Sequence, residues 1–258
     1  MIANLPFETI IISLAIGIAS GAIGAFIILR RMALVGDALS HVALPGIALA
    51  LAYHIDPFWG VALFCVAGAV IVWMLERKTK LHSEALIGLL FTFSLAIGIL
   101  TIPNTEILES LFGAFAPLSF PVFLFITGAG TLLIALTFLL AKRFLFSIIS
   151  PDLAYIESPR SSRWYELALF IIFAFIVALG IKLVGTLLMG ALTIIPASIA
   201  KNISRSMSGY IIISALFGGF TSLFGVTLAS KMGFLPGPTI ILLGIGLFAV
   251  SLFFTRKT

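Results

Sequence analysis

Two residues with metal-binding side chains lie four positions apart in a strongly apolar part of the chain. Asp37 and His41 occur in the stretch GDALSHVALPG, residues 36–46. On a helix, residues at this spacing lie on the same face, about one turn apart. A carboxylate at the centre of a membrane helix costs about 2.5–3.5 kcal/mol on insertion scales. Such residues usually serve an ion or substrate pathway, so this pair suggests half of a divalent-metal site.

The remaining ligands of such a site would have to come from elsewhere. Tetrahedral zinc sites take four ligands and manganese takes more, whereas this pair supplies one carboxylate and one imidazole. A symmetric dimer would supply the pair twice. The alternative is a buried Asp–His hydrogen bond that fixes helix packing. The membrane setting favours the functional interpretation, and the ligand types suit zinc, manganese and iron.

The composition is that of a polytopic membrane protein. Of the 258 residues, 61% are hydrophobic and 10% are charged, whereas soluble domains carry about 25% charged residues. The apolar runs suit helices of about 20 residues and lack the alternation of barrel strands. We therefore predict an all-α fold, a single transmembrane domain over residues 1–258, in the cell inner (plasma) membrane.

Nine segments are candidates for membrane spans. The stretch 166–200 would be about 52 Å long as one helix, too long for a hydrocarbon core of about 30 Å. It must hold two spans, or one span and a re-entrant piece, which gives eight to nine transmembrane helices. The glycines of the first span allow close packing within the chain or between subunits. The candidate spans are residues 9–29, 33–53, 58–75, 84–102, 121–141, 166–182, 185–200, 209–230 and 238–254.

The basic residues mark one side of the membrane. The formal net charge is +5, and the lysines and arginines cluster at the ends of apolar runs. This is the positive-inside pattern, and it argues against a nucleic-acid partner. Placing these clusters inside predicts an external N-terminus, a cytoplasmic C-terminus and nine crossings. The only cysteine, Cys65, excludes a disulfide within the chain.

A second motif lies near the C-terminal third. The letters VGTLL at 184–188 precede ALTIIPASIAK at 191–201, which reads as a span that becomes a short cytoplasmic helix. This segment is either a docking helix for a partner or an ordinary span end. The chain has no GxxxxGK[ST] phosphate-binding loop, so ATP-driven transport would require a separate ATPase.

These motifs together resemble the zinc/manganese-type ABC transporter permeases, the metal-ion ABC-3 family. The first signature is RMALVGDALSH at 31–41 with LPGIA at 44–48, and the second is VGTLL with Pro196 and Ala197. LFG at 111–113 and LPGPT at 235–239 also match, so the resemblance covers nearly the whole chain. One departure is the apolar stretch 114–117, where family members often carry an acidic residue. The family is usually drawn with about eight spans, which disagrees with nine crossings.

The resemblance implies a homodimeric permease that works with a cytoplasmic ATP-binding subunit and an extracytoplasmic metal-binding protein. It implies no permanently bound cofactor, and zinc or manganese as the transported ion. Asp37 and His41 would be the intramembrane metal ligands. The segment that contacts the ATPase would contain Pro196, Ala197, Ser198, Lys201 and Arg205.

Four further ionisable residues lie in segments predicted outside the membrane and are candidates for the first encounter with an arriving metal. His54 and Asp56 fall in a short loop, and Glu106 and Glu109 flank a short amphipathic piece. Carboxylates there could attract cations, although solvated loops are the plainer interpretation. Two other functions stay open: an ATP-independent secondary transporter or channel, and a structural membrane subunit without a substrate.

Overall fold

The computed structural model describes residues 6–79, 81, 83–101, 111, 119–186 and 188–254. These residues form ten α-helices and no strand, which confirms the predicted all-α class. The helices are α1 (Phe7–Leu29), α2 (Val35–Ala52), α3 (Pro57–Lys78), α4 (Ser83–Thr101), α5 (Phe120–Ile149), α6 (Pro151–Glu157), α7 (Pro159–Val184), α8 (Met189–Ile203), α9 (Met207–Met232) and α10 (Pro236–Ser251), followed by a 3₁₀ turn, Leu252–Phe254.

Eight helices in the described part of the chain are long and apolar enough to cross a membrane, α10 being counted together with its 3₁₀ turn. The ninth predicted span, 185–200, is instead the helix α8, which has 15 residues. At 1.5 Å per residue α8 is about 22 Å long, short of the hydrocarbon thickness. The stretch 166–200 therefore contains one long helix and one short one.

The directions of the helices show what the short helix does. Gly17 and Gly21 of α1 lie against Gly218 and Ser214 of α9, respectively, so α1 and α9 are antiparallel. Helix α7 is also antiparallel to α1. The Arg30 guanidinium carbon, just after the end of α1, lies 5.0 Å from the ring centroid of Phe170, whereas Gly180, further along α7, faces Ile16. Since α7 and α9 run the same way, residues 185–206 return the chain to the side where α7 begins. The described part of the chain thus has eight long apolar helices and one short returning helix, α8, in place of the nine full crossings that the charges predict.

The first-span glycines serve packing within the chain. A Cβ on Gly17 would collide with the carbonyl of Gly218, and one on Gly21 would collide with the carbonyl of Ser214. The Ser214 hydroxyl also donates to the Gly21 carbonyl. Small residues let the two backbones touch, and this contact anchors α9 to α1.

Helix α2 lies among α3, α4, α7 and α8. It meets α3 closely at Gly46 and Gly60, where a Cβ on either glycine would collide with the carbonyl of the other. Further along, the Cys65 thiol donates to the Leu39 carbonyl at 3.5 Å. Because most of its surface is covered by other helices, α2 holds its polar residues inside the bundle.

Candidate metal site

Asp37 lies in the first turn of α2, where a carboxylate is favoured by the free N–H groups of the helix start. The chain reaches this point through a tight reversal after α1, in which Arg31 adopts a left-handed φ of 59°. The Val35 N–H then donates to the Met32 carbonyl at 3.0 Å as α2 begins. This reversal places Asp37 beside the start of α8.

The Asp37 carboxylate contacts Gly190 in the first turn of α8. Its Oδ1 occupies the space that a Cβ on Gly190 would need. On the other side, a Cβ on Gly36 would lie 3.0 Å from the Gly190 Cα. Asp37 is half-buried and makes no hydrogen bond or ion pair to any residue that the structure describes. The carboxylate is therefore held by packing and keeps its oxygens available.

His41 lies one turn further along α2 and is 5% exposed. Its ring meets Phe91 of α4 edge-on, with ring centroids 4.7 Å apart and planes at 83°. The His41 Nδ1 is buried and has no hydrogen-bond partner in the described structure. A buried polar atom without a partner costs roughly 1–3 kcal/mol, so a metal ion or a hydrogen-bonding group at the His41 Nδ1 would relieve this cost. The alternative of a structural Asp–His hydrogen bond has no counterpart among the described contacts.

The described part of one chain provides a partial ligand set. Within the described residues, no three His, Cys, Asp or Glu side chains come together as a metal site would need. Cys65 is buried on the neighbouring helix α3, but its thiol is directed to the Leu39 carbonyl. Asp37 and His41 thus offer a carboxylate and an imidazole that need further ligands for a tetrahedral or larger coordination shell.

Pro45 weakens α2 one turn beyond His41. A proline has no N–H, so the His41 carbonyl loses its partner within the helix, and such positions favour a kink. Pro45 also lines an apolar cavity of about 600 Å³ between α2, α3 and α4, with Leu49 and Phe93 among its walls. Helix α2 therefore has a turn that lacks one backbone donor, with free volume beside it, close to its metal-binding side chains.

The predicted ATPase-coupling residues divide into a buried and an exposed group. Pro196 and Ala197 are buried inside α8 and Ser198 is half-buried, whereas Lys201 and Arg205 are exposed. The end of α8 is fixed to α10 by a hydrogen bond of 2.9 Å from the Asn202 side chain to Ser251. The fully exposed positions of this segment lie in the last turn of α8 and the following connection, so contact by Pro196 and Ala197 would be indirect.

Two of the four candidate encounter residues lie in the described part of the chain. His54 and Asp56 are exposed in the connection from α2 to α3, and His54 has a left-handed φ of 56°. Asp56 caps α3 by accepting a hydrogen bond of 2.8 Å from the Phe58 N–H. Glu106 and Glu109 lie outside the described residues, as does the apolar stretch 114–117.

Sequence reasoning missed two residues that shape the site, Gly190 and Phe91. Neither carries a group that binds metal, so their types gave no chemical signal. Gly190 acts by lacking a side chain where Asp37 approaches, and Phe91 acts by covering His41. A glycine in the first turn of a short helix, Met189–Ile203, was the only available hint.

Comparisons with known proteins point to one family. The profile of the ABC 3 transport family matches residues 3–255. The manganese import system permease protein ScaB of Streptococcus gordonii is 30% identical over 254 residues, which cover 97% of this chain and 91% of ScaB. The high-affinity zinc uptake system membrane protein ZnuB of Haemophilus influenzae is 27% identical over 96% of both chains. A chain of PsaBC from Streptococcus pneumoniae, solved in complex with Fab, superposes with a TM-score of 0.85 and 29% identity, covering 97% of this chain and 91% of that chain.

Proposed function

Because this chain belongs to the ABC 3 transport family, we propose that it imports manganese or zinc as the permease subunit of an ATP-driven transporter. It is a multi-pass protein of the cell inner (plasma) membrane. The relatives carry the names of manganese and zinc systems, and the ligand types at Asp37 and His41 suit both ions. The metal is the transported substrate, and the proposal includes no resident cofactor.

The intramembrane metal site would be formed by Asp37 and His41 of two copies of this chain. The observation that carries this proposal is the buried His41 Nδ1, one turn from the Asp37 carboxylate. Neither group has a hydrogen-bond or ion-pair partner among the residues that the structure describes. A twofold axis would bring two such pairs together, provided that Phe91 of α4, which covers His41 within one chain, moves aside. The resulting two carboxylates and two imidazoles would complete a four-ligand shell for zinc or most of one for manganese.

The transport step would follow from the separation of the two ligand pairs. Metal delivered by an extracytoplasmic binding protein would be held while the two α2 helices face each other. When ATP binding and hydrolysis on a separate cytoplasmic subunit move the helices apart, each copy keeps only two ligands and the ion dissociates. The unpaired carbonyl and the free volume near Pro45 would let α2 bend during this step.

Helix α8 would carry the motion from the ATPase to the metal. Its exposed end, with Lys201 and Arg205, is the predicted contact for the cytoplasmic subunit, and its first turn touches Asp37 through Gly190. The helix is about 22 Å long, and its interior Pro196 removes one backbone hydrogen bond. A displacement at the exposed end would therefore reach the ligand along one helix with a single weakened turn. An ATP-independent transporter or channel would need no partner at this end.

The test is metal uptake by the complete transporter in proteoliposomes, with Asp37→Asn and His41→Ala compared with Asp152→Asn. Asp152 is an exposed carboxylate on α6 and serves as the matched control. We expect both site variants to assemble with the ATPase and to lose uptake, while the control transports normally. Metal uptake at the wild-type rate in either site variant would show that Asp37 and His41 do not form the metal site. ATP-independent uptake by the wild type would favour the secondary transporter.

A further inference from the structure

A second cavity lies where the end of α3 meets the start of α7, far along α3 from Gly60 and its contact with α2. This cavity, which we call the α3–α7 cavity, has a volume of about 480 Å³. Its walls are Trp73, Pro159, Arg160, Arg163, Trp164 and Leu167. It combines cationic, aromatic and aliphatic side chains at the end of the bundle that the basic clusters predict to be cytoplasmic.

The two arginines of the α3–α7 cavity have no acidic partner among the residues that the structure describes. Nearby arginines differ in this respect: Arg30 is paired with Glu76 at 3.0 Å and Arg77 is paired with Glu166. Arg163 is positioned by Tyr155, whose hydroxyl accepts a hydrogen bond of 3.3 Å. The cavity therefore carries two positive charges that the described part of the protein does not neutralise.

The start of α7 adds a main-chain donor. Pro159 has no N–H, and the Ser158 hydroxyl accepts from the Ser161 N–H at 3.4 Å. The Arg160 N–H lies between them in the first turn of a 26-residue helix, where N–H groups have no partner within the helix and attract anions. An anion at this end of α7 would be favoured by the helix start as well as by the two guanidinium groups.

The aromatic walls suit the membrane interface. The indole N–H of Trp73 is buried without a hydrogen-bond acceptor in the described structure, and Trp164 is 60% exposed. Tryptophans concentrate at the level of the lipid headgroups, where one end of the ring is apolar and the other polar. Beside Trp73, Met74 and Leu75 are exposed apolar residues on α3, as expected of a surface in contact with acyl chains.

We propose that the α3–α7 cavity binds the headgroup of an anionic phospholipid. Arg160 and Arg163 hold its phosphate, and Leu167 and the tryptophans contact the glycerol and the first part of the acyl chains. Basic pockets between membrane helices on the cytoplasmic side bind such headgroups. The apolar walls distinguish this ligand from free phosphate, and the neighbouring exposed apolar side chains distinguish it from an acidic surface of a soluble partner.

The experiment uses the tryptophans of the chain as probes. Only three are present, Trp59, Trp73 and Trp164, so Trp59→Phe leaves the two that line the cavity. The complete transporter carrying this change is placed in phosphatidylcholine nanodiscs with a small fraction of brominated phosphatidylglycerol or brominated phosphatidylcholine. The signal of tryptophans outside this chain is measured with Trp59→Phe/Trp73→Phe/Trp164→Phe and subtracted. We expect stronger quenching by the anionic lipid than by phosphatidylcholine. The apparent affinity of the cavity for the anionic lipid should fall about fivefold when either arginine is removed and about 25-fold in Arg160→Ala/Arg163→Ala.

The control is Lys78→Ala/Lys142→Ala, which removes the same charge from exposed positions outside the cavity walls and should retain the preference for the anionic lipid. Equal quenching by both lipids, or equal loss in the control variant, would show that the cavity has no headgroup site. Complete competition by inorganic phosphate would assign the cavity to free phosphate instead. If Arg160→Ala/Arg163→Ala loses the ATPase subunit on purification but keeps the lipid preference, the surface belongs to the protein partner and the proposal is wrong.

Discussion

The carboxylate of Asp37 lies in the space that a side chain on Gly190 would occupy. This contact joins the start of α2 to the start of α8, and therefore joins a proposed metal ligand to the helix whose far end is the proposed ATPase contact. Gly190 is thus a positioning residue for Asp37.

A methyl group at Gly190 is expected to displace Asp37. In Gly190→Ala the new Cβ would overlap the Asp37 Oδ1 and part of its carboxyl group, so metal affinity should fall about 10–100-fold, as for loss of a residue that orients a ligand. The measurement is metal binding to the purified transporter by titration calorimetry. The matched control is Gly246→Ala on α10, where a Cβ meets nothing within 4 Å. Unchanged affinity in Gly190→Ala would separate Gly190 from the site.

The twofold site predicts that His41 of one copy lies near His41 of the other. In a Cys65→Ala background, His41→Cys should join two copies of the chain when a short bifunctional thiol reagent is added, as seen by a doubled mass on denaturing gels. Excess zinc should slow the reaction, because the introduced thiolates and the two Asp37 carboxylates would bind it. Leu139→Cys, 77% exposed on α5, is the control. A cross-link only in the control would place the dimer axis elsewhere.

Much of the fold follows from hydropathy, because apolar runs of about 20 residues have few alternatives to a membrane helix. The Asp37–His41 pair was identifiable because ionisable residues at helical spacing in an apolar run are rare. The short helix α8 was placed too early, at 185–200, since Gly185 takes a φ of 85° that ends α7 and delays the next helix to Met189. Hydropathy alone could not show this turn.

The residues that contact Asp37 and His41 could not be predicted from the sequence, for a different reason. Gly190 and Phe91 are distant in the chain from the residues they contact, and neither side chain has metal chemistry. The sequence also could not show which ATPase-coupling residues are buried and which are exposed, because Pro196 and Lys201 lie on one short helix but differ in burial. Such differences depend on which neighbours cover each face, and that is decided by tertiary packing.

The close contact between α1 and α9 should dominate the stability of the bundle. In Gly218→Val the side chain would collide with the backbone at Gly17 and Gly21, and overpacking of this kind costs about 1–3 kcal/mol or more. Thermal unfolding in detergent should show a lower midpoint. Gly128→Val on α5, where a Cβ meets nothing within 4 Å, is the matched control. Equal midpoints for the two variants would show that the contact between α1 and α9 does not determine the thermal stability of the bundle.

Charge reversal at the exposed end of α8 should uncouple the transporter without emptying the metal site. Lys201→Glu/Arg205→Glu places like charges where we expect the ATPase to contact the permease, and such juxtapositions cost several kcal/mol across an interface. The variant should lose ATP-driven uptake and co-purification of the ATPase subunit. Metal affinity should stay at the wild-type value, because Asp37 and His41 lie at the other end of α8.

Lys231→Glu, at the end of α9, is the control for charge alone. If the double variant keeps its ATPase and transports normally, the coupling surface must be sought away from α8; if it loses metal binding as well, the two ends of α8 are not independent.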